Sequence, residues 1–81
     1  MKISIDKSSK VPVYLQIADQ IKAQIISGAL PRGSALPSER ALAQILDVHR
    51  NSVVKAYSEL KSDAWIESRQ GVGYLVASAS T

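Results

Sequence analysis

The densest chemistry in the sequence lies in four consecutive residues, His49-Arg50-Asn51-Ser52, followed one helical turn later by Lys55. An arginine can read guanine O6 and N7 with two parallel hydrogen bonds, and an asparagine can do the same to adenine N6 and N7. A serine at the start of a helix can bond a phosphate oxygen, where the free backbone N–H groups already favour an anion. No acid interrupts His49–Ser52, whereas Glu59 and Asp63 appear further along. The plainer reading is that Arg50 and Asn51 are solvated residues of a first turn, with His49 an indifferent N-cap. Two further cationic places accompany this cluster. Arg69-Gln70-Gly71-Val72-Gly73 reads as a basic hairpin tip whose glycine lets backbone approach a phosphate or enter a minor groove. Arg40 sits in the first turn of the preceding helix, where it could reach a phosphate or pair with Glu39 or Asp47 on the surface. Candidate contacts to nucleic acid are therefore Arg40, His49, Arg50, Asn51, Ser52, Lys55, Arg69, Gln70 and Gly71.

These residues need elements to hold them. Pro12 suits the first turn of a helix, and Tyr14, Ile17, Ala18, Ile21 and Ile25 then form one apolar stripe. Gly28 ends it, so a helix is predicted over residues 12–27. Residues 29–37, with two prolines and a glycine, form a loop, with a strand of one or two residues around Leu36. Ser38 is a good N-cap and Glu39 complements the helix dipole, which predicts a short helix over 39–46 burying Leu42, Ile45 and Leu46. Asp47-Val48 makes a tight break. The spacing of Val53, Ala56, Tyr57 and Leu60 then predicts a helix over 50–62. Residues 65–69 and 74–76 read as strands around a glycine-containing turn. Tyr57 and Trp65 belong to the core, with the Tyr14 hydroxyl at its rim.

The order helix, helix, tight turn, helix, hairpin is that of a winged helix-turn-helix, an α+β fold that is mainly α, with three helices and a C-terminal β-hairpin wing. Residues 1–11, with three lysines and two adjacent serines, read as a flexible arm. Residues 12–77 form the folded domain, and 78–81 a disordered tail.

Composition narrows the alternatives. The chain has 81 residues, 10 Lys+Arg against 7 Asp+Glu, one histidine and no cysteine, for a formal charge of +3. A chain of this size buries about 60–65% of its unfolded surface, enough for a small core but not for a deep substrate cavity. Without cysteine there is neither a disulfide framework nor a thiolate site for zinc. The single histidine has no serine and aspartate arrangement for a triad, and the carboxylates are scattered. The expectation is no catalytic residue, no metal, no cofactor, no membrane segment and a cytoplasmic protein. The modest positive charge suits an anionic partner.

Five blocks, Pro12-Val13-Tyr14-Leu15-Gln16-Ile17, Gly28-Ala29-Leu30-Pro31-Arg32-Gly33, Leu36-Pro37-Ser38-Glu39-Arg40, Val48-His49-Arg50-Asn51-Ser52-Val53 and Arg69-Gln70-Gly71-Val72-Gly73, together resemble the N-terminal domain of GntR-family bacterial regulators. The resemblance covers about residues 11–77. The run from Arg50 to Tyr57 looks most like the YtrA and MocR branches. The resemblance implies a winged helix-turn-helix that binds palindromic double-stranded operators as a homodimer, usually as a repressor released by a small effector molecule. It also implies DNA contacts for Arg40, Arg50, Asn51 and Ser52, with Gly71 at the minor groove. Three positions depart from the family pattern. Val54 stands where many members carry another arginine, and Asp47 and Ala64 stand where glycine is usual. An effector-binding and dimerising C-terminal domain is also expected in the family, so the chain reads as a fragment of a longer regulator. A winged-helix module that binds an acidic protein through the same face is the alternative of a different class. The head of a polypeptide with a pyridoxal-phosphate aminotransferase-like domain is a third.

Overall fold

The structure is a computed structural model that describes residues 2–77; the expected tail at 78–81 lies outside the described residues. Six elements follow in the order α1 (Val13–Ser27), β1 (Ala35–Leu36), α2 (Glu39–Leu46), α3 (Arg50–Ser62), β2 (Ile66–Arg69) and β3 (Gly73–Val76). The strands form one antiparallel sheet in the order β1-β3-β2. Together they make the winged helix-turn-helix, with the wing completed by a strand that precedes the helix pair in sequence.

Local chemistry explains where the helices begin and end. Pro12 stands just outside α1 as its N-cap, and its carbonyl accepts from the Leu15 and Gln16 N–H groups. Gly28 closes α1 with φ +88°, and the chain turns back so that the Leu30 N–H reaches the Gln24 carbonyl at 3.0 Å. Ser38 caps α2 by accepting from the Ala41 N–H at 3.1 Å. Asp47 then ends α2 with φ +54°, and Ala64 follows α3 with φ +64°. Both non-glycine residues therefore adopt the left-handed conformation that the glycine of the family pattern would take without steric penalty. The backbone fixes Ala64 there, because the Trp65 N–H bonds the Leu60 carbonyl at 2.9 Å and ties strand β2 to the helix end.

The core lies where α1 and α3 cross, closed by α2 and the sheet. Ile17, Ile21 and Ile25 of α1 face Val53, Ala56, Tyr57 and Leu60 of α3, with Leu42 and Ala43 of α2 and Ile66 and Val76 of the wing completing it. Trp65 and Tyr14 are half-buried against this cluster. One expected core residue is not in it: Ile45 is 70% exposed. At about 100° per residue, Leu42, Ala43 and the half-buried Leu46 share one arc of α2, and Ile45 falls beyond its edge.

Residues 2–11 do not behave as the free arm expected from their composition. Ile3 and Ile5 pack against the core, and the backbone between them is held by glutamines of α1. Gln16 and Gln20 each donate to a carbonyl and accept from an N–H of the same arm residue, Asp6 and Ser4 respectively, at 2.6–2.9 Å. Gln24 donates to the Lys2 carbonyl at 2.6 Å. The Asp6 carboxylate accepts from the Ser8 hydroxyl and N–H, which folds the following turn and lowers the Asp6 pKa.

Candidate nucleic-acid interface

The outward face of α3 is set by its inward one. Val53, Ala56, Tyr57 and Leu60 are fully buried, so Arg50, Asn51, Val54, Lys55 and Ser58 are turned to solvent along one side. His49 caps the helix, its Nδ1 accepting from the Asn51 N–H at 3.1 Å, so a residue named for DNA contact also fixes the helix start. That bond needs an unprotonated Nδ1, which places the proton of the neutral ring on Nε2. Ser52 is half-buried behind Asn51. Lys55 is not a free-swinging cation: its ammonium lies 4.2 Å from the centroid of the Tyr14 ring. The ring attracts the charge and orients it beside the exposed stripe.

The surroundings of Arg40 resolve which carboxylates compete for it. Glu39 accepts from the Tyr74 hydroxyl at 3.0 Å, and Asp47 is paired with Lys7 at 3.6 Å. Among the described residues Arg40 is exposed and makes no ion pair, so its guanidinium remains available to an outside anion.

The wing holds its cation differently. Arg69 and Glu67 lie two apart on β2, on one face of the strand, and pair at 3.0 Å. The Arg69 side chain is still 64% exposed, and an exposed pair of this kind is worth so little that a phosphate can replace the carboxylate. Gln70 and Gly71 are exposed in the turn, which the Val72 N–H closes by bonding the Arg69 carbonyl at 3.0 Å. Gly71 takes φ +82° there, the conformation for which glycine suits this tip. Val72 projects from the tip, 59% exposed.

A partly buried aromatic link connects the wing to both helices of the pair. The Tyr57 and Tyr74 rings meet edge to face with centroids 4.7 Å apart. The Tyr57 hydroxyl donates to the Pro37 carbonyl at 2.7 Å and that of Tyr74 donates to Glu39. Burial, then the nearby Glu39 charge, drives the Tyr57 pKa well above the ordinary tyrosine value. Tyr74 is raised in the same direction, by desolvation first and by its bond to Glu39 second.

Sequence reasoning passed over two features here. Lys7 reaches the turn between α2 and α3, and the Tyr74–Glu39 bond ties β3 to α2. The first had a faint signal, since Ile3 and Ile5 alternate with polar residues while glutamines recur at every fourth position of α1. The second had none, because the partners are far apart in sequence.

Among the described residues no group of three or more His, Asp or Glu side chains converges on one point. An open groove of about 450 Å³ lies elsewhere, between the arm and α2, lined by Lys2, Ile3, Leu30, Leu42 and Ile45 among others. No helix of the described residues is long and apolar enough to cross a membrane.

Comparison with known proteins places the chain. The profile of "Bacterial regulatory proteins, gntR family" matches residues 13–76. The HTH-type transcriptional repressor YtrA of Bacillus subtilis is 41% identical over 80 residues, which are 98% of this chain and 62% of that protein. The solved structure of YtrA from Sulfolobus acidocaldarius, a GntR-family transcription factor, superposes with a TM-score of 0.87 at 46% identity, covering 94% of this chain and 80% of that one. AraR(DBD), solved in complex with operator ORX1, superposes with a TM-score of 0.82 at 27% identity, covering 95% and 99%. The chain spans less than two thirds of the length of the curated relatives it matches, YtrA of B. subtilis among them. The element order, the capped α3 with its polar outward face and the matched profile agree: the chain belongs to the gntR family of bacterial regulatory proteins.

Proposed function

We propose that this chain is the sequence-reading DNA-binding domain of a bacterial transcription repressor, working in the cytoplasm on double-stranded operator DNA. The observation that carries the reading is the acid-free outward start of α3. There Arg50 and Asn51 are exposed on a helix whose opposite face is locked into the core. In this reading α3 enters the major groove, with Arg50 and Asn51 on base edges and Ser52 and the capped helix start at a phosphate. Arg40 and Lys55 position the domain on the backbone, while Arg69, Gln70 and Gly71 seat the wing at the minor groove. His49 holds the α3 start and lies beside the same phosphates. The solved complex of AraR(DBD) with operator ORX1, on the same fold, supports DNA as the partner.

Residues 12–77 form the DNA-binding module in this proposal. The whole regulator is a homodimer whose additional segment binds a small effector molecule and releases the operator. The two half-sites then lie about 10–10.5 bp apart, or a multiple of that spacing. A single unlinked domain lacks the avidity of two sites and binds in about the micromolar range.

The test is selection of bound duplexes from a random pool by this chain fused to a neutral dimerising partner. Enrichment of a palindrome with two half-sites is the expected result. Binding with no enriched sequence, lost uniformly as salt rises, overturns sequence-specific reading.

A further inference from the structure

The glutamines of α1 recur at every fourth residue, Gln16, Gln20 and Gln24, and the arm residues they hold recur at every second, Asp6, Ser4 and Lys2. The two spacings match. Four helical residues advance about 6 Å along the axis, and two extended residues advance about 6.6 Å. The glutamine side chains therefore act like the edge of a partner strand, bonding arm backbone at alternate residues while Ile3 and Ile5 turn the other way into the core. Gln16 also donates to the Val11 carbonyl, so the segment is pinned on both sides of the turn that follows Asp6.

The strap ends by delivering Lys7 to one place. Its ammonium donates to the Asp47 carbonyl at 2.7 Å and lies 3.6 Å from the Asp47 carboxylate. Asp47 is the left-handed residue of the turn between α2 and α3, three positions before Arg50, and its side chain is fully exposed. A lone carboxylate there would face the polyanion that Arg50 and Lys55 are placed to meet. The pair itself, exposed on both sides, adds little to folding stability. Its effect falls on whatever approaches the turn.

We infer that Lys7 is a positioning residue of the nucleic-acid interface, held by the glutamine ladder so that its charge cancels that of Asp47 at the helix-turn-helix corner. The inference rests on the DNA-binding reading and adds the arm to the interface. Lys7 acts through Asp47, and Asp47 repels the duplex once Lys7 is gone.

The experiment is a double-mutant cycle on duplex affinity at low ionic strength, using Lys7→Gln, Asp47→Asn and the double variant. Circular dichroism melts establish that each variant folds. Lys7→Gln should weaken binding about two- to fivefold, the size of an uncancelled charge acting across solvent on nearby phosphates. Lys7→Arg should restore it. By the same arithmetic Asp47→Asn alone, which leaves the Lys7 charge uncancelled, should tighten binding about two- to fivefold, and the double variant, neutral again at the corner, should return to within about 1.5-fold of wild type. Gln16→Leu with Gln20→Leu, leaving Lys7 in place, should reproduce the Lys7→Gln loss by releasing the strap. A double variant as weak as Lys7→Gln alone, with Asp47→Asn leaving affinity unchanged, would make Lys7 an independent contact and overturn the inference. So would no loss at all, or a glutamine variant of full affinity. A wild-type chain that binds no duplex would overturn the DNA-binding reading together with it, whereas wild-type binding with no offset between the Asp47→Asn and Lys7→Gln effects overturns this inference alone.

Discussion

The Tyr74 hydroxyl on β3 donates a 3.0 Å hydrogen bond to the Glu39 carboxylate in the first turn of α2. This contact ties the wing to the first helix of the pair. Glu39 thereby serves two ends, since it also complements the positive end of the α2 dipole. The neighbouring Tyr57 ring fills the space beneath and anchors α3 to the loop before α2 through Pro37.

Tyr74→Phe keeps the ring against Tyr57 and removes only the tie to Glu39. The bond is half-buried, so the stability loss should be about 0.5–1.5 kcal/mol, read from chemical denaturation. Affinity for an operator duplex should fall as well, because the proposed function has the wing and α3 dock at once. Unchanged affinity with reduced stability would show that the tie does not orient the wing.

Alkaline pH should weaken the fold through both tyrosines. Their pKa values are raised in the folded state by burial and by Glu39, so the unfolded chain ionises first. The stability they contribute is fully present below the ordinary tyrosine pKa near 10 and declines as pH rises above it toward the folded values. Denaturation midpoints measured at neutral pH and above pH about 10 should separate, and Tyr74→Phe should narrow the gap.

Ala64 carries φ +64° at the junction between α3 and β2. Glycine adopts that conformation freely but loses more entropy on folding, so Ala64→Gly should stabilise by about 0.5–1 kcal/mol. A thermal melt checks it. A lower melting temperature would mean that the junction is not strained.

Much of the fold was legible along the chain because its signals are local. Gly28, the Ser38 cap and the stripe from Val53 to Leu60 each mark an element by residues within a turn of one another, and α2 and α3 have the bounds those residues predict. The misreadings are tertiary. Ile45 has the right spacing from Leu42, yet an eight-residue helix buries a narrow arc and leaves it outside. The composition of residues 1–11 reads as a flexible arm because the glutamines that hold it lie in another element. Strand β1 acquires its role only by pairing Ala35 and Leu36 with Leu75 and Tyr74. Within the candidate site, the residue types and the α3 cap were readable, including His49 as a cap. That Arg40 has no ion pair among the described residues was not, because Lys7 and Tyr74 engage the two acids nearby in sequence.

Lys55 is held over the Tyr14 ring beside the exposed start of α3, and the proposed function gives it a phosphate contact. Lys55→Ala should weaken specific and scrambled duplexes alike and reduce the slope of log affinity against log salt by about one. A loss confined to one base pair would instead make Lys55 a reader of sequence.

In the proposed function Arg50, at the exposed start of α3, reads a base. That role is tested most directly by titrating wild type and Arg50→Ala against the selected operator and a panel of its single-base variants at fixed salt. Arg50→Ala should lose about 1–3 kcal/mol on the operator and show a flattened preference at one base pair of each half-site, with the others intact. Equal affinity of Arg50→Ala and wild type for the operator would contradict the assignment of α3 as the recognition helix.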